Sequence, residues 1–151
     1  MTRFVKKELQ VRLVPMNRAF IDTSAILRML VQDDDLKAKS VENLIRNAPE
    51  NGIVLHVIPV TILEIVWVLE KVYRYPKKAI RELAEAIINT PQLKVELAGI
   101  FLDALKVYEE KNVKFADAVM AFWGIDKGIT TTYTYDEVDF KRINGLTVVK
   151  P

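Results

Sequence analysis

Residues 18–27 read RAFIDTSAIL, and the interpretation of the whole chain starts from this stretch. Its first part, Arg18 to Ile21, is a short apolar run that predicts a buried β-strand. Thr23 or Ser24 can then cap a helix that starts at once. The stretch therefore predicts a strand followed closely by a helix, with an acid, Asp22, at the junction.

The same alternation of short apolar runs and longer helical patterns continues to the end of the chain. Further strands are predicted at 53–58, 93–97, 129–134 and 146–149. Helices are predicted at 23–31, 33–45, 61–74, 76–89, 100–110 and 115–127, the last ended by Gly128. Strands that alternate with helices indicate an α/β fold, with a mostly parallel sheet covered on both faces.

Composition restricts the chemistry that this chain can perform. Its 151 residues include no cysteine and one histidine, so disulfides, thiolate sites and histidine-rich metal sites are excluded. That histidine, His56, lies in an apolar run and is expected to be a buried core residue rather than a catalytic base. A metal would be held by oxygen, which favours Mg²⁺ or Mn²⁺. Neither a membrane-spanning run nor a secretory signal is visible, so we expect a cytoplasmic protein without a membrane segment.

Residues 1–15 stand outside the alternation of strands and helices. The first 18 residues hold five basic residues against one acidic residue. Such a basic arm is compatible with nucleic-acid binding, although a solvated basic terminus is the more common explanation. Leu9, Val11 and Leu13 alternate with polar residues, so this extension is either an edge strand or a disordered arm. The rest, 16–151, is predicted to be one domain.

Four carboxylates map to the carboxyl-terminal edge of the predicted sheet, where α/β proteins bind ligands. They are Asp22, Glu64, Asp117 and Asp136. Each has a structural explanation: a helix cap, a capping box with Thr61, a helix-dipole contact and a turn, respectively. Together they are better explained as a site for a hard divalent cation, because ionised carboxylates that share a site repel one another. Such an ion can activate water and stabilise charge on a phosphate, so the predicted substrate is a phosphodiester.

At these positions the chain resembles the PIN-domain nucleases, and most closely the VapC-type toxins of prokaryotic toxin–antitoxin pairs. The resemblance runs from about Asn17 to Pro151. It is carried by residues 20–27, by Glu64 with 66–69, by 115–118, and by 134–136 with Asp139 and Phe140. The resemblance implies a three-layer α/β/α sandwich with a central, mostly parallel sheet, and a metal-dependent endoribonuclease.

The resemblance also implies roles for particular residues. The family's catalytic, metal-binding acids fall on Asp22, Glu64, Asp117 and Asp136. Asp139 competes with Asp136 as the last metal ligand, and the sequence leaves this choice open. Hydroxyls that would support the acids are supplied by three residues: Thr23, Ser24 and Thr134.

The partners that the resemblance implies are RNA, a second copy of the chain and an antitoxin. The expected cofactor is Mg²⁺ or Mn²⁺. The helix pair from Ser24 to Ala48 is the expected docking surface for apolar side chains of the antitoxin, which would present an arginine to the acids.

Two other functions fit the fold class. A catalytically silent PIN module would bind RNA or a protein without cutting, but clustered negative charge does not help a surface to bind RNA. A receiver-like phosphoacceptor domain needs paired acids after its first strand and a lysine after its last strand. Here Thr23 and Ser24 follow Asp22, and no lysine follows the last strand until Lys150.

The aromatic residues near these motifs are expected to be structural. Trp67 and Trp123 lie among aliphatic residues at helical spacing, which predicts a place in the core or in an interface. Tyr133 and Tyr135 are expected to pack along a strand rather than to stack on a base.

Overall fold

A computed structural model describes residues 17–151. The predictions made for residues 1–15 therefore lie outside the described residues. The elements follow one another in the order β1 (Asn17–Phe20), α1 (Thr23–Val31), α2 (Asp35–Asn47), β2 (Ile53–Val57), α3 (Pro59–Lys71), α4 (Lys77–Ile88), β3 (Leu93–Val95), α5 (Ala98–Glu110), α6 (Phe115–Asp126), β4 (Thr131–Tyr133), α7 (Glu137–Lys141) and β5 (Thr147–Val149).

Every strand pairing in this part of the chain is parallel. Strand β2 lies between β1 and β3, with His56 opposite Phe20 on one side and Lys94 on the other. Strands β4 and β5 form a second pair, in which Tyr133 lies opposite Val149. Helices make the crossovers, so the prediction of an α/β fold with parallel strands in a three-layer α/β/α arrangement is confirmed.

The prediction that the first strand is buried is wrong. All four residues of β1 are exposed, and Phe20 keeps 71% of its surface accessible. The reason is that β1 pairs with β2 alone among residues 17–151, so one of its edges has no partner strand there. Burial begins one residue later, at Ile21, where the chain turns toward α1.

The core that positions the acids is formed by α3, α5 and α6. Helix α3 buries one face, including Ile62, Ile65 and Leu69. Phe115, the first residue of α6, packs between two buried aromatic rings of α5. Its ring centroid lies 6.2 Å from that of Phe101 and 5.8 Å from that of Tyr108. These contacts fix the start of α6, and with it the first turn that carries Asp117.

The predicted end of α6 is confirmed. Gly128 adopts a left-handed conformation with φ of +71°, directly after the cap residue Lys127. The amide of Gly128 donates to the carbonyl of Ile125 at 3.1 Å, and that of Ile129 donates to the carbonyl of Gly124 at 2.8 Å. This pattern satisfies carbonyl groups that a helix end leaves without partners. Between residues 17 and 151, no helix combines the length and the apolar character needed to cross a membrane.

Candidate active site

Asp22 lies at the junction of β1 and α1, where it caps the helix. Its Oδ1 accepts hydrogen bonds from the amide of Ala25 at 3.1 Å and from the hydroxyl of Ser24 at 2.9 Å. These bonds, first of all the one from Ala25, lower the pKa of Asp22 and favour its ionised form. The prediction that Thr23 or Ser24 caps this helix is wrong, because Asp22 is the cap. Ser24 instead supports the carboxylate of Asp22.

Glu64 lies on the exposed side of α3 and is held by a residue of another helix. Thr23 Oγ1 donates to Glu64 Oε2 at 2.5 Å, a contact between residues 41 positions apart. The capping-box explanation of Glu64 is wrong, because α3 begins at Pro59 and its cap residue, Ile58, makes no side-chain hydrogen bond. Thr61 is buried within the first turn. Glu64 is therefore free of any capping role and is joined to α1.

Asp117 lies in the first turn of α6 and is half-buried. Burial is the main cause that raises the pKa of Asp117, and the negative charge of Asp139 is the next. Asp139 belongs to α7 and is only 7% exposed. Its Oδ2 accepts a hydrogen bond from the backbone amide of Lys114 at 3.0 Å, which ties α7 to the start of α6. Two acids from separate segments thus meet in a partly desolvated place.

Asp136 is exposed and lies immediately before α7. Its Oδ2 forms an ion pair with Lys114 Nζ at 2.7 Å, and this contact raises the pKa of Lys114. The hydroxyl of Thr134 accepts from the amide of Asp136 at 2.9 Å and donates to its carbonyl oxygen at 3.2 Å. Thr134 therefore shapes the turn before α7 through the backbone of Asp136.

The structure arranges the predicted acids in two groups. The first, which we call the Asp22–Glu64 group, also contains Thr23 and Ser24. The second, which we call the Asp117–Asp139 group, also contains Lys114 and Asp136. Over the described range 17–151, no three acidic or histidine side chains lie close enough together to hold a metal ion. Glu64 and Lys114 nevertheless line one common groove, so the two groups border the same space.

The atoms of both groups that could bind a metal are all carboxylate or hydroxyl oxygens. Such ligands fit a hard cation such as Mg²⁺ or Mn²⁺. His56 lies outside both groups, as expected. It is buried in β2, and its Nε2 accepts a hydrogen bond from Arg18 Nε at 3.2 Å. The residues able to contribute a ligand are Asp22, Glu64, Asp117, Asp136 and Asp139.

Sequence reasoning missed Lys114, which contacts two acids of the second group. Its position carried a signal, because it lies three residues before Asp117 and therefore about one helical turn away. The prediction that Tyr133 and Tyr135 pack along a strand is wrong, since both side chains are largely exposed. Trp67 is also outside the core, with 58% of its surface accessible.

Comparison with known proteins identifies the family to which this chain belongs. The family model of the PIN domain matches residues 19–146, and the chain therefore belongs to the PIN domain family. The chain is also similar to the VapC ribonuclease of Aquifex aeolicus (strain VF5). The two are 26% identical over 128 residues, which cover 82% of this chain and 94% of that protein. No solved structure matches the chain significantly. The resemblance found in the sequence is thus confirmed.

Proposed function

We propose that this protein is a metal-dependent endoribonuclease that hydrolyses RNA phosphodiester bonds, and the toxin of a VapBC-type toxin–antitoxin pair. Membership of the PIN family supports a nuclease. The similar protein from Aquifex aeolicus, named a VapC ribonuclease, supports RNA as the substrate. The acids of the two groups supply the chemistry.

The observation that carries this proposal is the pairing of Asp117 with Asp139. Two carboxyl groups brought together and partly buried destabilise a fold, because each disfavours the ionised form of the other. Perturbed carboxyl groups of this kind concentrate at functional sites, where the arrangement serves chemistry rather than stability. A divalent cation is the ligand that matches such a pair.

When bound, a divalent cation would supply a Lewis acid that activates water and neutralises charge on the cleaved phosphate. The chain's own residues prepare the site for it. Asp22 is kept ionised by its hydrogen bonds with Ala25 and Ser24. Thr23 holds the carboxylate of Glu64 in one orientation. Lys114 keeps its positive charge at the edge of the site, where it can bind a phosphate oxygen.

We also propose that Asp139, rather than Asp136, is the fourth acidic ligand. Asp139 is buried beside Asp117, and one of its oxygens is fixed by the amide of Lys114. Asp136 is exposed, and its carboxylate is engaged by the side chain of Lys114. In this arrangement Asp136 positions Lys114, and its loss affects the site indirectly.

The expected partners follow from the same assignment. An antitoxin would dock on the pair of helices α1 and α2, where Leu36 and Leu44 are exposed apolar side chains. It would present an arginine to the acids, which can bind carboxylates through two parallel hydrogen bonds. The active form is expected to be a homodimer, by analogy with VapC-type toxins.

The first experiment is cleavage of a labelled pool of total RNA by the purified full chain. Parallel reactions contain Mg²⁺, Mn²⁺ or EDTA, and a second preparation carries Asp22→Asn with Asp117→Asn. We expect cutting with metal, none with EDTA, and a loss of at least a hundredfold in the double variant. Asp139→Asn should be as inactive as the double variant, whereas Asp136→Asn should keep part of its activity.

A second candidate is a catalytically silent PIN module that binds RNA or a protein. The separation of the acids into two groups in residues 17–151 favours this alternative. It predicts that folded protein, shown to be free of bound antitoxin, cuts RNA with neither metal. That result would contradict the nuclease proposal.

A further inference from the structure

One side of β1 faces no partner strand among residues 17–151, where β1 pairs with β2 alone. We call this side the outer edge of β1. The amides of Asn17 and Ile21 donate to carbonyl groups of β2 and of the residue before it, both at 3.0 Å. Backbone groups of alternate residues point to opposite sides of a strand, so those of Arg18 and Phe20 point toward the outer edge. This edge can therefore accept a further strand.

The side chains along this strand are also accessible. All four residues of β1 are exposed, and Phe20 keeps 71% of its surface accessible. Phe20 and Arg18 share one face, because alternate side chains of a strand point the same way. The outer edge thus combines backbone groups able to pair with a large apolar side chain, and natural proteins usually cover such an edge.

The segment directly before β1 has a sequence that fits this edge. Leu9, Val11 and Leu13 alternate with polar residues, which predicts a strand with one apolar face. Pro15 cannot donate a hydrogen bond to a neighbouring strand and is suited to a loop. A hairpin loop of about two or four residues that includes Pro15 would place the three apolar side chains on the face of Phe20.

The direction of such a hairpin would bring opposite charges together. The residues before Leu9 would lie beside the carboxyl end of β1, close to Asp22. They include Lys6 and Lys7 against one acid, Glu8. Asp22 is exposed, and its hydrogen bonds favour the ionised form. The charge of the segment therefore complements the acids at this end of β1.

We propose that residues 9–13 form an antiparallel edge strand on β1, and that this strand places Lys6 and Lys7 beside the Asp22–Glu64 group. A few residues join the segment to β1, so its effective concentration at the outer edge exceeds that of a separate chain. The strand pairs with the backbone of Arg18 and Phe20 and covers the Phe20 ring. It also adds two cationic side chains to one border of the candidate active site.

The absence of cysteine from the chain allows a test by disulfide formation. Phe20→Cys is combined, one at a time, with five substitutions: Glu8→Cys, Leu9→Cys, Gln10→Cys, Val11→Cys and Arg12→Cys. Because Phe20 is exposed, these variants are expected to fold, and circular dichroism is the check. Under mild oxidation we expect fast intramolecular bonding for Leu9→Cys and Val11→Cys and slow bonding for the other three. The reason is that alternate side chains of a strand lie on opposite faces.

Two results of this scan would overturn the proposal. Rates that change smoothly with distance along the chain would show an arm without fixed pairing. Disulfide-linked dimers as the main product would show that the outer edge of β1 pairs with a second copy of the chain instead.

Amide hydrogen exchange of the full chain gives a test that needs no cysteine. We expect the amides of Arg18 and Phe20 to exchange slowly, and about a hundredfold or more faster in Val11→Pro, because proline cannot donate to the ladder. Gln10→Pro is the matched control, since its amide would point away from β1, and it should keep most of the protection. The amide of Ile21, which bonds to β2, should stay protected in every variant. Equal exchange of Phe20 in the unmodified protein and in Val11→Pro would contradict the strand.

The same measurement tests where the lysines lie. Lys6→Glu with Lys7→Glu would place like charges beside Asp22 and loosen the strand. At low salt, Phe20 should then exchange about 1.5- to 5-fold faster, the range expected for exposed ion pairs. Lys6→Arg with Lys7→Arg keeps the charge and should leave the rate unchanged. If the charge reversal had no effect, the lysines would not lie beside the acids. None of these tests uses RNA or a metal ion, so their failure is separable from failure of the proposed function.

Discussion

At the scale of single residues, the acids differ in charge state because their neighbours differ. Asp22 receives hydrogen bonds from an amide and a hydroxyl, so its pKa is lowered. Asp117 is half-buried and meets Asp139, so its pKa is raised. Carboxyl groups whose pKa values are moved apart within one site are suited to different tasks. Asp22 is suited to act as a metal ligand that is always ionised. Asp117 is the acid whose ionisation a bound cation would promote.

The raised pKa of Asp117 predicts how stability depends on pH. The ordinary pKa of this carboxyl group is 3.8, and its pKa in the folded state is higher. At a pH above 3.8, the folded state therefore keeps the group neutral more strongly than the unfolded state does. Ionisation at higher pH therefore destabilises the fold. We expect Asp117→Asn to raise the free energy of unfolding at about pH 7. The gain should disappear at about pH 3, where the acid is neutral in both states.

Denaturation by urea at the two pH values measures this effect. Asp103→Asn, on the exposed side of α5, is the matched control and should change little at either pH. Destabilisation by Asp117→Asn at neutral pH would show that the ionised carboxylate has favourable partners, and would contradict the assigned repulsion from Asp139.

The positions of the acids were easier to predict from the sequence than the residues that contact them. Asp22 and Glu64 were predictable because the ends of parallel strands share one edge of a sheet. The burial of Asp139 was not, because it depends on how α7 packs against the start of α6. Nothing in the spacing of Asp136 and Asp139 indicates which of them faces inward.

At the scale of elements, the strands and six of the seven helices in residues 17–151 were predictable, but the short helix α7 and the start of α3 were not. Within residues 17–151, the apolar runs located each of the five strands to within a few residues. Thr61 and Glu64 have the spacing of a capping box, yet α3 begins at Pro59. Proline at the start of a helix has no amide hydrogen to satisfy and a backbone angle that suits a helix. Pro59 and the Thr61–Glu64 pair each indicate a helix start, and the helix begins at Pro59.

The end of α6 predicts an unusual response to a glycine substitution. Alanine normally stabilises a helix relative to glycine by roughly 0.5–1 kcal/mol. A Cβ atom at Gly124, however, would lie 2.6 Å from the carbonyl oxygen of Ile129. That oxygen belongs to the residue whose amide donates to the carbonyl of Gly124 and so closes the helix. We therefore expect Gly124→Ala to destabilise the protein by about 1–3 kcal/mol, as overpacking does.

Gly99→Ala is the matched control for that substitution, because Gly99 lies in α5 with no atom within 4 Å of an added Cβ. It should be neutral or should stabilise by up to about 1 kcal/mol. Urea denaturation of both variants makes the comparison. If Gly124→Ala stabilised the protein as much as Gly99→Ala, the backbone at Ile129 would have to move away without cost, and the account of this helix end would be wrong.

At the scale of the whole molecule, the strands and the acids divide in the same way. Strands β1, β2 and β3 form one set, and β4 and β5 form another. The Asp22–Glu64 group belongs to elements from the first part of the chain, and the Asp117–Asp139 group to α6 and the segment after it. The sequence predicted one cluster of four acids and not its division into two groups, because that division depends on how α3 and α6 pack side by side.

This division predicts that a divalent cation stabilises the whole molecule by joining the two groups. A ligand that binds only the folded state adds RT ln(1 + [L]/Kd), about 2.7 kcal/mol at a hundredfold excess over Kd. We expect Mg²⁺ or Mn²⁺ to raise the unfolding temperature of the full chain, and EDTA to reverse the change. Asp22→Asn and Asp117→Asn should each remove most of the gain, whereas Asp103→Asn should keep it. If Asp22→Asn kept the full gain while Asp117→Asn lost it, the cation would be held by the Asp117–Asp139 group alone. The two groups would then not act as one site.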